Sequence, residues 1–383
     1  MTAGPGRSPD DRAASGWSAP ALNPAQQQVI ERLGSRPSEH PEFAPDLRDD
    51  LRRDIEAELA GALGPLPEGT SVFVSKHHLS VVHQCEARWL AEQDVPFVPS
   101  VATVRGTVAH KAVELGIAWH GDPNPLELVD EALASLTEGD DRWVGDFLRG
   151  ASERERAEVR AQANERVAAF LDCWPPLERR WRPVPEARQR ADLAGGRVVV
   201  QGRVDLVLGR SEGRRAGKVL VDFKTGAWSP AHHEDLRLYA LVETLRLGVP
   251  PRRLATSYLD SGELRTEDVT VAALEAAGAR LVDGVARMVA VRHGGAPASR
   301  RPSAACRWCP ASATCAEGQA FLAEAGWARP GGDPGVDKPG VDDEDDSVDS
   351  VDSVEPDEDR VRGGFAAGTS DEVGAASDLA PRA

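Results

Sequence analysis

The chain has 383 residues, 41% of them hydrophobic, enough for one large domain or two ordinary ones at roughly 100–200 residues each. Its formal charge of −17 argues at first against a nucleic-acid partner, but residues 331–383 hold sixteen acidic and four basic residues, so the preceding 330 carry a net of only −5. That nearly balanced body contains 41 basic residues and has the means to build a basic groove. No window approaches the roughly 18 uninterrupted apolar residues of a membrane span. The first thirty residues lack a basic start followed by an apolar stretch, so the expected location is cytoplasmic. Thiols stay reduced there, and clustered cysteines point to metal rather than to disulfides.

Along the chain, residues 1–20 are rich in Gly, Pro, Ser and Ala and are expected to be disordered. The segment Leu22–Leu33, with Gln26, Gln27 and Gln28, resembles the glutamine motif that opens superfamily-one helicases, though a short amphipathic helix reads the same way. A helicase needs a phosphate loop soon afterwards. The nearest match, Gly213 to Val219, has the wrong spacing and no hydroxyl for magnesium, which excludes an ATPase. Helices are expected over 76–93, 107–119, 126–136, 153–171, 234–247 and 272–291. Strands are expected over 198–208 and 219–224, with a hairpin over 254–271 turning at Ser261-Gly262. The organisation expected is an N-terminal extension over 1–70 with short helices, one folded domain over 71–330, and an unfolded acidic tail over 331–383.

The sharpest motif is Gly202-Arg203-Val204-Asp205 followed by Val221-Asp222-Phe223-Lys224. Alternation along a strand puts Asp222 and Lys224 on one face. If the two strands form a hairpin centred between Gly213 and Arg214, Asp205 lies opposite Asp222 with Cβ atoms about 5 Å apart. Carboxylates so placed repel unless a cation sits between them, and oxygen ligands of this kind suit magnesium. Lys224 can then orient or deprotonate an attacking water and stabilise charge on a phosphate. The chain has only five lysines against forty arginines, so a lysine in an apolar strand is not casual. Upstream, His110 and Glu114 lie four residues apart on one helix face. His110 offers a neutral ring nitrogen to a metal, and Glu114 a carboxylate to a metal or a water.

Gly106–His110, Gly202–Asp205 and Asp222–Lys224, in this order, resemble the motifs of PD-(D/E)XK nucleases of the RecB type. These occur in recombination exonucleases, in AddB-type nuclease domains and in CRISPR-associated iron–sulfur nucleases. The resemblance spans residues 71–320. It implies an α/β fold of the restriction-endonuclease kind, a mixed sheet flanked by helices. It implies that His110, Asp205 and Asp222 bind a catalytic Mg2+ or Mn2+ and that Lys224 assists the attacking water. The family's Gln-x3-Tyr motif is matched at Tyr239, while Asp235 stands at the glutamine position.

Cys306, Cys309 and Cys315 form a C-x2-C-x5-C triplet, and 220 residues separate Cys85 from Cys306. Four such thiolates fit zinc or a [4Fe–4S] cluster, and the spacing does not choose between them. The resemblance favours the cluster, because iron–sulfur nucleases of this type pair one upstream cysteine with the same triplet. Cys173, beside Trp174 and two prolines, is expected to be a packed thiol. The function expected is metal-dependent hydrolysis of DNA phosphodiester bonds, as an exonuclease in repair or recombination with a helicase or repair partner. Arginines would grip the backbone, and Trp89 or Trp308 would stack on bases or pack in the core. The rival is a catalytically silent DNA-binding scaffold that keeps the nuclease fold and an iron–sulfur or zinc site.

Overall fold

A computed structural model describes residues 22–327 apart from 120, 140–141, 225–227, 230 and 260. The acidic tail and the first 21 residues lie outside the described residues, and with them the expectations of disorder there. No helix among the described residues is long and apolar enough to cross a membrane.

The framework is a six-stranded mixed sheet with helices against it. Its central strand, β3 (Val198–Leu208), pairs along nearly its whole length with antiparallel β2 (Val184–Leu193). The other edge of β3 is shared. The short parallel β1 (Val72–Val74) takes residues 198–200, and antiparallel β4 (Val219–Lys224) takes residues 206–208. Parallel β5 (Arg253–Tyr258) and antiparallel β6 (Glu263–Asp268) extend the sheet beyond β4. The turn between β5 and β6 falls at the expected Ser261-Gly262, where Gly262 has φ +68°, a conformation that costs glycine little.

One face of the sheet is covered by α2 (Leu47–Ala62), α3 (Lys76–Gln84), α4 (Glu86–Glu92), α9 (Ala231–Leu247) and α10 (Val271–Arg292). In α2 the buried residues Leu47, Leu51, Ile55 and Leu59 recur every four positions, the stripe of a helix with one face inward. The packing therefore continues N-terminal to the boundary expected at residue 71, because α2 shares its core with the sheet. The other face is covered by α1 (Pro24–Leu33) and the C-terminal end of α8 (Glu153–Cys173). A third apolar cluster joins α8 to α5 (Val101–Ile117), α6 (Pro125–Glu138) and α7 (Arg142–Gly150).

The helix expected over 76–93 is two helices. Cys85 has φ −160° and ψ 107°, ending α3 and opening α4. Its neighbours are tied to the C-terminal segment: Ala87 N–H donates to the Ser299 carbonyl at 3.1 Å, and Ser299 N–H donates to Glu86 Oε2 at 2.8 Å. A short helix, α11 (Ala316–Glu324), follows the cysteine triplet.

Candidate active site

The helix that carries His110 is built locally. Ser100 caps α5 by accepting from Thr103 N–H, while the Thr103 hydroxyl oxygen accepts from Ser100 N–H, a reciprocal cap that fixes the helix start. Val104, Val108, Ala109, Ala112 and Val113 are buried. This apolar face anchors α5, and His110 comes to line a pocket together with Glu114, Arg166, Glu186, Asp205 and Phe223.

Asp205 reaches that pocket through an irregularity in β3. Val200 and Val204 face the core under α9 and α10, as alternation requires, but Leu206 and Leu208 face the opposite core and Val207 the first. The alternation slips by one residue at Asp205. On β2 the partner at this level is Glu186, between the pairs Pro185↔Leu206 and Ala187↔Val204, and Glu186 has φ +47°. A non-glycine residue in the left-handed region inside a strand costs about 1–3 kcal/mol and concentrates at functional sites.

The result is a cluster of three ligand-bearing groups. His110 Nδ1 lies 3.4 Å from Glu186 Oε1 and 3.5 Å from Asp205 Oδ1. One ligand atom from each of the three residues lies within 4.8 Å of the others. An octahedral Mg2+ or Mn2+ with bonds of 2.0–2.1 Å holds cis ligands about 3 Å and trans ligands about 4 Å apart. The donor set, one imidazole and two carboxylates, therefore fits a divalent cation in both chemistry and spacing. The other oxygen of Asp205 accepts from Phe223 N–H at 2.5 Å, which fixes the carboxylate against β4. Arg203 Nη1, 3.3 Å from Glu186 Oε2, holds the second carboxylate from the other side.

The register expected between β3 and β4 is present: Leu206↔Val221, Val207↔Leu220 and Leu208↔Val219 pair about the expected centre. Continued by one residue it sets Asp205 at the level of Asp222, so Glu186, Asp205 and Asp222 form a row across three strands. The slip at Asp205 brings its carboxylate to His110 of α5. Asp222 has Lys224 Nζ at 3.1 Å and Lys76 Nζ at 3.9 Å. All three of these side chains are at least 95% buried. A lone buried carboxylate would be costly; two ammonium groups more than neutralise it. Lys76 also sits 5.9 Å from the ring centroid of Tyr239.

Tyr239, on α9, is buried and packs over Gly202. A Cβ at Gly202 would lie 2.6 Å from Tyr239 Oη, so the glycine of the Gly202–Asp205 motif makes room for this ring. Glu114 lines the pocket beside His110 and pairs with Lys111 at 3.0 Å. Glu186 and Lys76 are the site residues that sequence reasoning did not single out. Glu186 stands in a polar run, Pro185 to Asp192, that carries no apolar alternation and hides the strand itself. Lys76 had a signal in the scarcity of lysine, which marks it as much as Lys224.

All five cysteines are free thiols. Cys306 and Cys315 Sγ each lie 3.4 Å from the place a Cβ on Gly318 would occupy. Burial pushes the Cys309 thiol up, and the charges of Arg88, Cys306 and Cys85 also reach it. Cys85 Sγ lies 3.8 Å from the Ser299 carbonyl. Cys173 packs instead in the core formed with α1 and α8. Trp89 is 4% exposed, which removes it as a stacking platform; Trp308 is half-buried, with the Arg307 guanidinium 4.8 Å from its ring centroid.

The model of the PD-(D/E)XK nuclease superfamily matches residues 74–316, the span that holds every one of these groups. No curated protein matches the chain. Among solved structures, one named "Putative exonuclease" from Eubacterium rectale is similar at 15% identity and a TM-score of 0.31, over 53% of this chain and 76% of that one. The structure of SSO0001 is similar at 12% identity and a TM-score of 0.27, over 70% of this chain and 95% of that one. From the family match, which covers more than half of its length, the chain belongs to the PD-(D/E)XK nuclease superfamily.

Proposed function

We propose that the protein is a Mg2+- or Mn2+-dependent deoxyribonuclease of the RecB-like branch, acting as an exonuclease on single-stranded or end-bearing DNA in repair or recombination. The observation that carries the reading is the convergence of His110, Glu186 and Asp205 within 4.8 Å, next to the buried Asp222–Lys224 pair. A divalent ion held by these residues supplies Lewis acidity and a more acidic water. Asp222 completes the acidic surround expected from the sequence, held by Lys76 and Lys224. Lys224 is the group assigned to stabilise charge developing on the phosphate. The test is cleavage of single-stranded DNA labelled at either end, with Mg2+ or Mn2+ against chelator. Asp205→Asn and Lys224→Ala are each expected to lower the rate at least a hundredfold with the fold intact. Retained activity in both would overturn the proposed site, and no cleavage by the wild-type chain would favour the silent-scaffold reading.

The same proposal assigns Cys85, Cys306, Cys309 and Cys315 to one [4Fe–4S] cluster. Cys306 and Cys315 Sγ each lie 3.4 Å from the position a Cβ on Gly318 would take, and Cys309 is near enough to Cys306 and Cys85 for their charges to reach it. Protein purified without oxygen is expected to be brown and to carry about four irons per chain; one zinc and no iron would replace the cluster with a zinc site.

A further inference from the structure

We propose that Arg166 is the phosphate-gripping residue of the active site, donating to a phosphodiester oxygen of the bound strand. The inference rests on the nuclease reading above and names a substrate contact that the metal-ligand cluster does not supply.

Arg166 lies on α8 and lines the same pocket as His110, Glu114, Glu186 and Asp205. An arginine there for structure alone would be paired with one of those carboxylates. It pairs with none of them: Glu114 pairs with Lys111, Glu186 with Arg203 and His110, and Asp205 accepts from Phe223 N–H and lies beside His110. Among the described residues, Arg166 makes no ion pair within 4.0 Å, and its one hydrogen bond is from Nη1 to the Gln162 carbonyl of its own helix at 3.2 Å. Its Nε is shielded from solvent and has no acceptor among the described residues. On the same helix, Arg160 forks onto both oxygens of Asp130 at 2.6 and 2.7 Å, the behaviour of a structural arginine. A shielded donor left unmatched costs free energy, and an anionic oxygen entering the pocket would recover it. The guanidinium fork matches phosphate oxygens geometrically, where an ammonium offers only a point charge. Glu186 and Asp205 are reserved for a cation by their spacing, so the arginine is the group in this pocket whose charge suits the anion.

The experiment compares the wild-type chain with Arg166→Ala and Arg166→Lys, measuring steady-state cleavage of single-stranded DNA and, in the Lys224→Ala background, binding of the same strand against salt concentration. Arg166→Ala is expected to lower kcat/KM tenfold or more. It is also expected to flatten the slope of log K against log[salt] by about 0.7, the loss of one phosphate contact to a single strand. Arg166→Lys should keep the slope and lose most of the rate, and guanidinium ion at non-denaturing concentration should partly restore the alanine variant. A helix content equal to wild type shows that both variants fold. An unchanged salt slope with kcat/KM within twofold of wild type would overturn the proposal while leaving the nuclease reading standing. A wild-type chain that neither cuts nor binds DNA would overturn both.

Discussion

Glu186 is held by the fold in a backbone conformation it would not choose. Its φ of +47° inside a strand places its carboxylate 3.4 Å from His110, at the level where β3 slips. Strain of this size, about 1–3 kcal/mol, persists where side-chain position matters more than stability. Glu186→Gly is therefore expected to abolish metal-dependent cleavage while leaving stability to denaturant unchanged or higher by up to about 1 kcal/mol, since glycine accepts the conformation freely. Glu186→Gln, which keeps the strain and removes the charge, should lose activity with no gain in stability. A glycine variant that unfolds earlier than wild type would show that the carboxylate is structural. Asp205, Asp222 and Lys224 stood out in the sequence because they are charged residues within apolar strands bounded by turn residues. Glu186 was not, because β2 carries no apolar alternation around it and its positive φ leaves no mark on residue type. Nor could periodicity show that Asp222 would be enclosed by Lys76, which arrives from another element after β1.

Between elements, Glu86 joins the first turn of α4 to α10 and to the segment leading into the cysteine triplet. Burial pushes its carboxyl up, but hydrogen bonds from Ser299 and the Arg287 guanidinium at 2.9 Å outweigh it and hold the carboxyl below the usual glutamate value of 4.5. A carboxylate with a lowered folded pKa stabilises fully above its unfolded value and loses that contribution as pH falls through the folded one. The stability difference between wild type and Glu86→Gln is therefore expected to be constant above about pH 5 and to shrink on acidification below 4.5; a difference unchanged down to pH 3 would mean that the charge contributes nothing. The break of the 76–93 helix at Cys85 belongs to this same junction. The helix pattern ran through Cys85 without interruption, because what breaks it is Ser299 meeting Glu86 and Ala87 across more than 200 residues, and local pattern carries no trace of such a partner. The α9 and α10 helices and the β5–β6 hairpin, by contrast, were readable almost to their ends, since each carries its own apolar period and turn residues.

At the scale of the whole molecule, the four proposed cluster ligands connect regions far apart in the chain: Cys85 between α3 and α4, and the triplet ahead of α11. A link that closes a loop of 220 residues restricts the unfolded chain as a crosslink does, by an amount that grows only slowly with loop length. It also completes a junction that already holds the Ser299–Glu86 and Ala87–Ser299 hydrogen bonds. The proposed metal ligands and Lys224 come from α5, β2, β3 and β4, none of which bears a cysteine of this set, so the proposed cluster would act on the site through the fold. Cys85→Ser and Cys309→Ser are each expected to lose the iron and to lower the thermal midpoint. Cys173→Ser, whose thiol packs in the separate core with α1 and α8, should keep the iron and a near-native midpoint. Cleavage by the iron-free variants, assayed well below their midpoints, should be reduced but still dependent on Mg2+ or Mn2+ and still abolished by Lys224→Ala. If the Cys173 change removes the iron and the Cys85 change does not, the fourth ligand is misassigned and the long loop is not closed. If iron-free protein keeps the wild-type midpoint, the cluster does not staple the two ends, and the hydrogen bonds of Glu86, Ala87 and Ser299 hold the junction alone.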